Sequence, residues 1–141
     1  MNKALLDTDI YSEILKAVDP TVARNATEYR RIHGVLSVSV ITLLEIVYGL
    51  QRVGSGEQRI QTFRSSVSTE EILALDQPAA DLAGRMAGDL DRAGKPIGRF
   101  DPIVAAIALT HHLELVTGNV SHYQYVQQLG YPLTLKNWRN S

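Results

Sequence analysis

The chain predicts an α/β fold in three layers, with a central, mostly parallel sheet of about five strands flanked by helices. Three observations carry that reading. Short apolar or β-branched runs alternate with longer helical stretches from end to end. The breaks between them carry capping and turn signals: Asp19-Pro20, Gly34, Gly54-Ser55-Gly56, and Asp76 with Pro78. No internal repeat, linker or low-complexity tract interrupts the alternation, so residues 1–141 read as a single domain.

Ala4 to Leu6 is a short apolar run closed by Asp7, as expected of a buried strand. Thr8 and Asp9 can cap a helix reaching about Lys16. Asp19-Pro20 supplies an N-cap and a first-turn proline, and the helix that follows carries Arg24, Glu28, Arg30 and Arg31 and stops at Gly34. Val35 to Val38 is a second strand. Ile41 to Arg52 reads as a helix with Ile41, Leu44, Val47 and Tyr48 on one side. Glu57 to Ser66 is polar enough for an exposed helix, and Glu71 to Leu75 is a third strand. Asp76 and Pro78 start a long helix with Ala80, Ala83, Ala87 and Leu90 at helical spacing. Beyond the Gly94–Arg99 loop, Asp101-Pro102 opens an apolar helix to about Thr110. A strand from Leu113 to Thr117, a short helix from Tyr123 to Gln128 and an edge strand from Pro132 to Leu135 complete the series.

The 141 residues, 45% hydrophobic and 21% charged, suffice for a genuine core. The net charge of −1 creates no global attraction for nucleic acid, so any such contact must come from a local basic patch or a bound cation. The absence of cysteine excludes disulfides, thiolate metal sites and a cysteine nucleophile. Asp7 and Asp9 break the first apolar run, and no stretch approaches the ~18 uncharged apolar residues of a membrane span. A cytoplasmic protein without a membrane partner is expected.

Four polar residues stand at the edges of apolar runs: Asp7, Glu45, Asp101 and Asn119. Acids rarely sit in such places unless paired or bound to a cation. In an open parallel sheet, ligands bind beyond the carboxyl ends of the strands, and each of the four can point there. Together, three carboxylates and an amide would form a hard oxygen cage for Mg²⁺ or Mn²⁺. Such an ion neutralises a phosphodiester and lowers the pKa of a bound water, which is nuclease chemistry. Taken singly, Asp7 and Asp101 are good N-caps and Asn119 a good turn residue; Glu45 on an apolar helix is harder to explain so. Lys95 and Arg99 lie in the loop leading to Asp101 and are the better candidates for RNA contact. His111 and His112 point in different directions on a helix and do not suggest a shared ion.

Around these residues the chain resembles the PIN-domain ribonucleases, specifically VapC-type toxins of toxin–antitoxin pairs. The segments that carry the resemblance are Leu5 to Asp9 (LLDTD), Ser39 to Gly49 (SVITLLEIVYG), Ile97 to Ala108 (IGRFDPIVAAIA) and Leu115 to Tyr123 (LVTGNVSHY). The resemblance implies a PIN-like three-layer fold, with Asp7, Glu45 and Asp101 as the Mg²⁺-binding acids and Asn119 in the fourth position. Thr8 and Thr117 would orient carboxylates, and Asp9 would support the site. His122 stands where many relatives have an acid, and Tyr123 where they have Phe. It further implies a homodimer, a cognate antitoxin partner, and cleavage of structured cellular RNA such as tRNA or ribosomal RNA, leaving a 5′-phosphate. The alternative is a catalytically weak PIN domain that binds RNA or a partner without cutting. A phosphatase of the D-x-D type fits less well, because it leaves Glu45 without a role.

Overall fold

The computed structural model describes residues 1–140. Its elements run β1 (Ala4–Leu6), α1 (Thr8–Lys16), α2 (Pro20–His33), β2 (Ser37–Ser39), α3 (Val40–Arg52), α4 (Glu57–Val67), β3 (Glu71–Leu73), α5 (Gln77–Arg92), α6 (Asp101–Thr110), β4 (Glu114–Val116), α7 (Val120–Gln128) and β5 (Leu135–Lys136). The strand pairs are parallel, as helical crossovers between them require. Hydrogen bonds order one piece of sheet as β1-β4-β5 and the other as β2-β3, and β2 lies alongside β1 without a ladder between them. The expected α/β class with five parallel strands is thus observed, with the sheet split at its middle.

Strand alternation makes the layers. Successive side chains of a strand face opposite sides, so Leu6 and Val116 join one core while Leu5 and Leu115 join the other. The first core takes Ile10 and Tyr11 of α1, Val22 and Tyr29 of α2, and Phe63 of α4. The second takes Met86 and Leu90 of α5, Val104 and Ile107 of α6, and Tyr123 and Val126 of α7. Helices therefore cover both faces. No helix among the described residues is long and apolar enough to cross a membrane.

Several boundaries differ from expectation for local reasons. Asp7, not Thr8 or Asp9, caps α1, because its extended backbone lets its side chain accept from Thr8 N. The second strand begins at Ser37 rather than Val35: Gly34 leaves α2 with φ 90°, and Val35 is still exposed. The third strand stops at Leu73 because Asp76 already caps α5. The last strand is Leu135–Lys136 rather than Pro132 to Leu135; the proline has no N–H, and pairing starts where Thr134 O accepts from Leu115 N. Helix α7 starts at Val120, directly after Asn119. Asp101 is the first residue of α6, and Phe100 takes the cap position without a side-chain bond.

This framework sets Asp7 and Thr117 just past the carboxyl ends of β1 and β4, which pair in register from Ala4–Glu114 to Leu6–Val116.

Candidate active site

Asp7 leaves β1 with its N–H bonded to Val116 O at 2.8 Å, and the residue is only 6% exposed. Its Oδ1 accepts from Thr8 N at 3.0 Å. Its Oδ2 accepts from the Thr117 hydroxyl at 2.9 Å and the Tyr123 hydroxyl at 3.2 Å. The same Tyr123 hydroxyl lies 3.3 Å from Asp101 Oδ1. Asp101 Oδ2 accepts from Gly98 N at 3.2 Å and faces His122 Nδ1 at 3.5 Å. Asp7 and Asp101, 94 positions apart in a sequence of 141, therefore share one buried hydroxyl. A Cβ on Gly98 would stand 2.7 Å from Asp101 Oδ2, so glycine lets the loop approach the carboxylate.

Glu45 projects from α3, and its Oε1 accepts from the Thr8 hydroxyl at 2.6 Å. Thr8 Oγ1 is also 3.0 Å from Thr42 Oγ1, so two hydroxyls fix the acid on its otherwise apolar helix. Asn119 reaches the same edge through its backbone, where its N–H donates to Thr117 Oγ1 at 3.0 Å. Its side chain is exposed and, among the described residues, bonds to none of the acids. Lys95 and Arg99 are exposed; Lys95 Nζ sits 5.3 Å from the Tyr125 ring centroid, and Arg99 adjoins Gly98.

A second acidic pair flanks the first. Asp9 Oδ2 accepts from Gly118 N at 2.9 Å, and Arg139 Nη2 stands 3.6 Å away. Arg139 also donates from Nε to Glu13 Oε1 at 2.8 Å, with Nη2 2.7 Å from the same atom. Glu13 Oε2 is buried without a hydrogen-bond partner among the described residues. The guanidinium lies against Gly118, leaving no room for a side chain there.

Burial, reinforced by the charges of Asp9 and Asp101, pushes Asp7 up from 3.8 to about 6; the Thr117 and Thr8 donors only partly oppose this. Burial and the two facing carboxylates hold the Tyr123 hydroxyl well above its ordinary value, so it stays protonated and can donate. Burial also raises Asp9, against the bonds from Gly118 and the charge of Arg139.

The sequence-predicted residues thus reach one edge without forming a closed cage. Asp7 and Asp101 meet through Tyr123, Glu45 is tethered through Thr8, and Asn119 arrives by its backbone alone. Among the described residues, no three His, Asp or Glu side chains stand close enough to hold an ion as they are. Thr8 and Thr117 bond carboxylates, Asp9 holds the Gly118 peptide, and His122 faces Asp101. The donor chemistry still fits a hard divalent cation. Mg²⁺ is commonly held by one or two carboxylates plus water and substrate phosphate, and here two oxygen acids share a site without a fixed counter-charge between them. Sequence reasoning missed Arg139 and Glu13, far apart along the chain. It also missed the bridging hydroxyl of Tyr123, although spacing four residues after Asn119 on a helix was a usable signal.

Parallel strands under two helical layers, with buried acids past the carboxyl ends, define a class, and comparison with known proteins identifies it. The family model of the PIN domain matches residues 4–126, and the chain belongs to that family. Within it, the relatives are VapC ribonucleases. The chain is 30% identical over 139 residues to "Ribonuclease VapC10" of Mycobacterium tuberculosis, covering 96% of each. It is 29% identical over 126 residues to the "tRNA(fMet)-specific endonuclease VapC" of Shigella flexneri, covering 89% of this chain and 93% of that one. The crystal structure of DNA-bound VapBC from Salmonella typhimurium superposes with a TM-score of 0.80 at 25% identity, covering 98% of this chain and 99% of that chain.

Proposed function

We propose that this PIN domain is a metal-dependent endoribonuclease and the toxin of a toxin–antitoxin pair, cleaving structured cellular RNA of the tRNA or ribosomal RNA kind. The observation that carries the reading is the buried Asp7–Tyr123–Asp101 arrangement, two acids brought together where one is pushed up to about 6. The names of the relatives support ribonuclease activity and a tRNA target, and their VapBC assemblies support a cognate antitoxin.

Asp7 and Asp101 would hold Mg²⁺, or Mn²⁺, with Glu45 and Asn119 completing the shell. When bound, the ion would neutralise the scissile phosphate and lower the pKa of the attacking water. The protein's own groups do the rest. Thr117 and Thr8 N fix the Asp7 carboxylate, and Gly98 N fixes that of Asp101. Thr8 aims Glu45 toward the same edge. Lys95 and Arg99, on the exposed loop before Asp101, hold backbone phosphates without reading sequence. The exposed apolar residues Leu44 and Tyr48 on α3 support association with a second copy or the antitoxin.

The test is incubation of the antitoxin-free protein with total cellular RNA in Mg²⁺, Mn²⁺ or EDTA, with typing of fragment ends. Discrete, metal-dependent fragments with 5′-phosphates, lost in Asp101→Asn, are expected. Fragments with 2′,3′-cyclic ends would refute the metal-assisted route. Intact RNA in every metal would leave a binding module instead.

A further inference from the structure

Tyr123 is the donor that touches both acids, and it is fully buried, its ring packed in the core with Leu5, Leu115 and Val126. A carboxylate oxygen has room for about two hydrogen-bond donors. Asp7 Oδ2 already has two, the hydroxyls of Thr117 and Tyr123. Asp101 Oδ2 is occupied by Gly98 N and His122. The Thr117 hydroxyl bonds one acid and also accepts from Asn119 N, so it is part of the scaffold of the β4–α7 turn. Among the described residues, the Tyr123 hydroxyl bonds only the two carboxylates. It also has only one proton, so it can satisfy one of them fully at any moment.

We propose that the Tyr123 hydroxyl is an internal placeholder for the divalent cation: it spans Asp7 and Asp101 in the metal-free protein and must release at least one of them for the ion to bind. This rests on the metal-dependent reading above. The hydroxyl carries no charge, so it keeps the acids together without cancelling their repulsion. Its bonds stabilise the empty state and are lost on loading, so they lower affinity for the ion. Tyr123 is in this sense a positioning residue that sets the ion concentration at which the site fills.

The direction of the effect separates this role from simple support. If the hydroxyl steadied the ligands in the loaded site, removing it would weaken binding. As a placeholder, its removal strengthens binding. Charge-assisted hydrogen bonds of this kind translate into about tenfold or more in affinity.

Calorimetric titration of Mn²⁺ into the wild type, Tyr123→Phe, Asp7→Asn and the Asp7→Asn/Tyr123→Phe double variant tests it, alongside thermal unfolding in EDTA. Phe fills the same ring cavity, so the variant is expected to fold with unchanged circular dichroism. The expected result is Mn²⁺ binding about tenfold or more tighter in Tyr123→Phe. Its unfolding temperature in EDTA should fall by about 3–6 °C. The gain in affinity should be lost in the Asp7→Asn background, where the fall in unfolding temperature should persist in part through the Tyr123–Asp101 bond. A wild-type near-ultraviolet tyrosine difference signal on Mn²⁺ addition, absent in Tyr123→Phe, would report the hydroxyl's release directly. Equal or weaker binding by Tyr123→Phe would overturn the placeholder while leaving the metal site standing. Binding by neither protein would overturn the metal site itself, and the placeholder with it.

Discussion

Two acidic pairs stand side by side at the same edge of the sheet, and they are treated in opposite ways. Asp9 and Glu13 are given a permanent counter-charge, the Arg139 guanidinium, delivered from the other end of the chain. Asp7 and Asp101 are given neutral donors, namely Thr117, Tyr123 and backbone N–H groups, with a half-exposed His122 beside Asp101. A pair tied to arginine serves the fold, because its charge is partly offset, although Asp9 still acts on Asp7. In the more buried pair, left with hydroxyls, burial above all, then the charge of Asp9 and least that of Asp101, displaces Asp7 to about 6. Burying an ionisable group in this way costs stability, and perturbed groups of this kind concentrate at functional sites.

The widest separation between the pairs should lie in catalysis. Asp7→Asn and Asp101→Asn are expected to reduce RNA cleavage by about a thousandfold or more, given typical losses on removing an essential acid. Asp9→Asn keeps an oxygen for Gly118 N and should lose about tenfold or less. Initial rates on one isolated cleaved RNA decide this; an Asp9→Asn loss equal to that of Asp7→Asn would erase the distinction.

The next contrast is in stability against pH. Asp7 holds its proton more tightly in the folded protein, up from 3.8 to about 6. Its unfavourable contribution is therefore absent below the unfolded value, grows as pH rises between the two, and is constant above the folded value. In EDTA at neutral pH, Asp7→Asn should be more stable than the wild type by about 2–3 kcal/mol. The gap should close in acid. Urea unfolding of both proteins across this range tests it, and a gap independent of pH would show that the charge is not the cause. Arg139→Met should do the reverse at the other pair. It strands Glu13 and Asp9, and because Arg139 is about a third exposed, solvent limits the loss to about 1 kcal/mol. That loss should shrink in high salt.

How much of this could be read beforehand follows the range of the interactions. The alternation of strands and helices, and the caps at Asp19 and Asp76, are local and were legible within a few residues. Asp7, Glu45 and Asp101 were legible because an acid against an apolar run is conspicuous wherever the chain later goes. The Arg139 link joins residues over a hundred positions apart, and no local pattern marks it. Asn119 was assigned by position along the chain. Its side-chain direction depends on how the turn after β4 is held, and there Thr117 takes the backbone N–H while the amide is left exposed. The split between β1 and β2 is likewise a matter of tertiary spacing that neither strand's own residues encode.

The smallest effect expected on stability separates geometry from charge. Gly98 is not in a left-handed conformation, so alanine is allowed by its backbone. The added methyl would lie 2.7 Å from Asp101 Oδ2 and 3.0 Å from its Cγ, so the carboxylate must move. Because the loop is exposed and alanine restricts the unfolded chain, Gly98→Ala should change stability by less than about 1 kcal/mol. Cleavage should nevertheless fall by about tenfold, in kcat more than in KM, since the basic groups proposed to contact RNA are unchanged while the displaced acid no longer meets Asp7 correctly. Gly84→Ala gives the matching case: its methyl meets nothing within 4 Å on an exposed face of α5, so it should add about 0.5–1 kcal/mol and leave cleavage untouched. If Gly98→Ala behaved like Gly84→Ala, the close approach of the loop to Asp101 would have no part in the chemistry. The site would then depend on the presence of its acids and not on how the loop sets them.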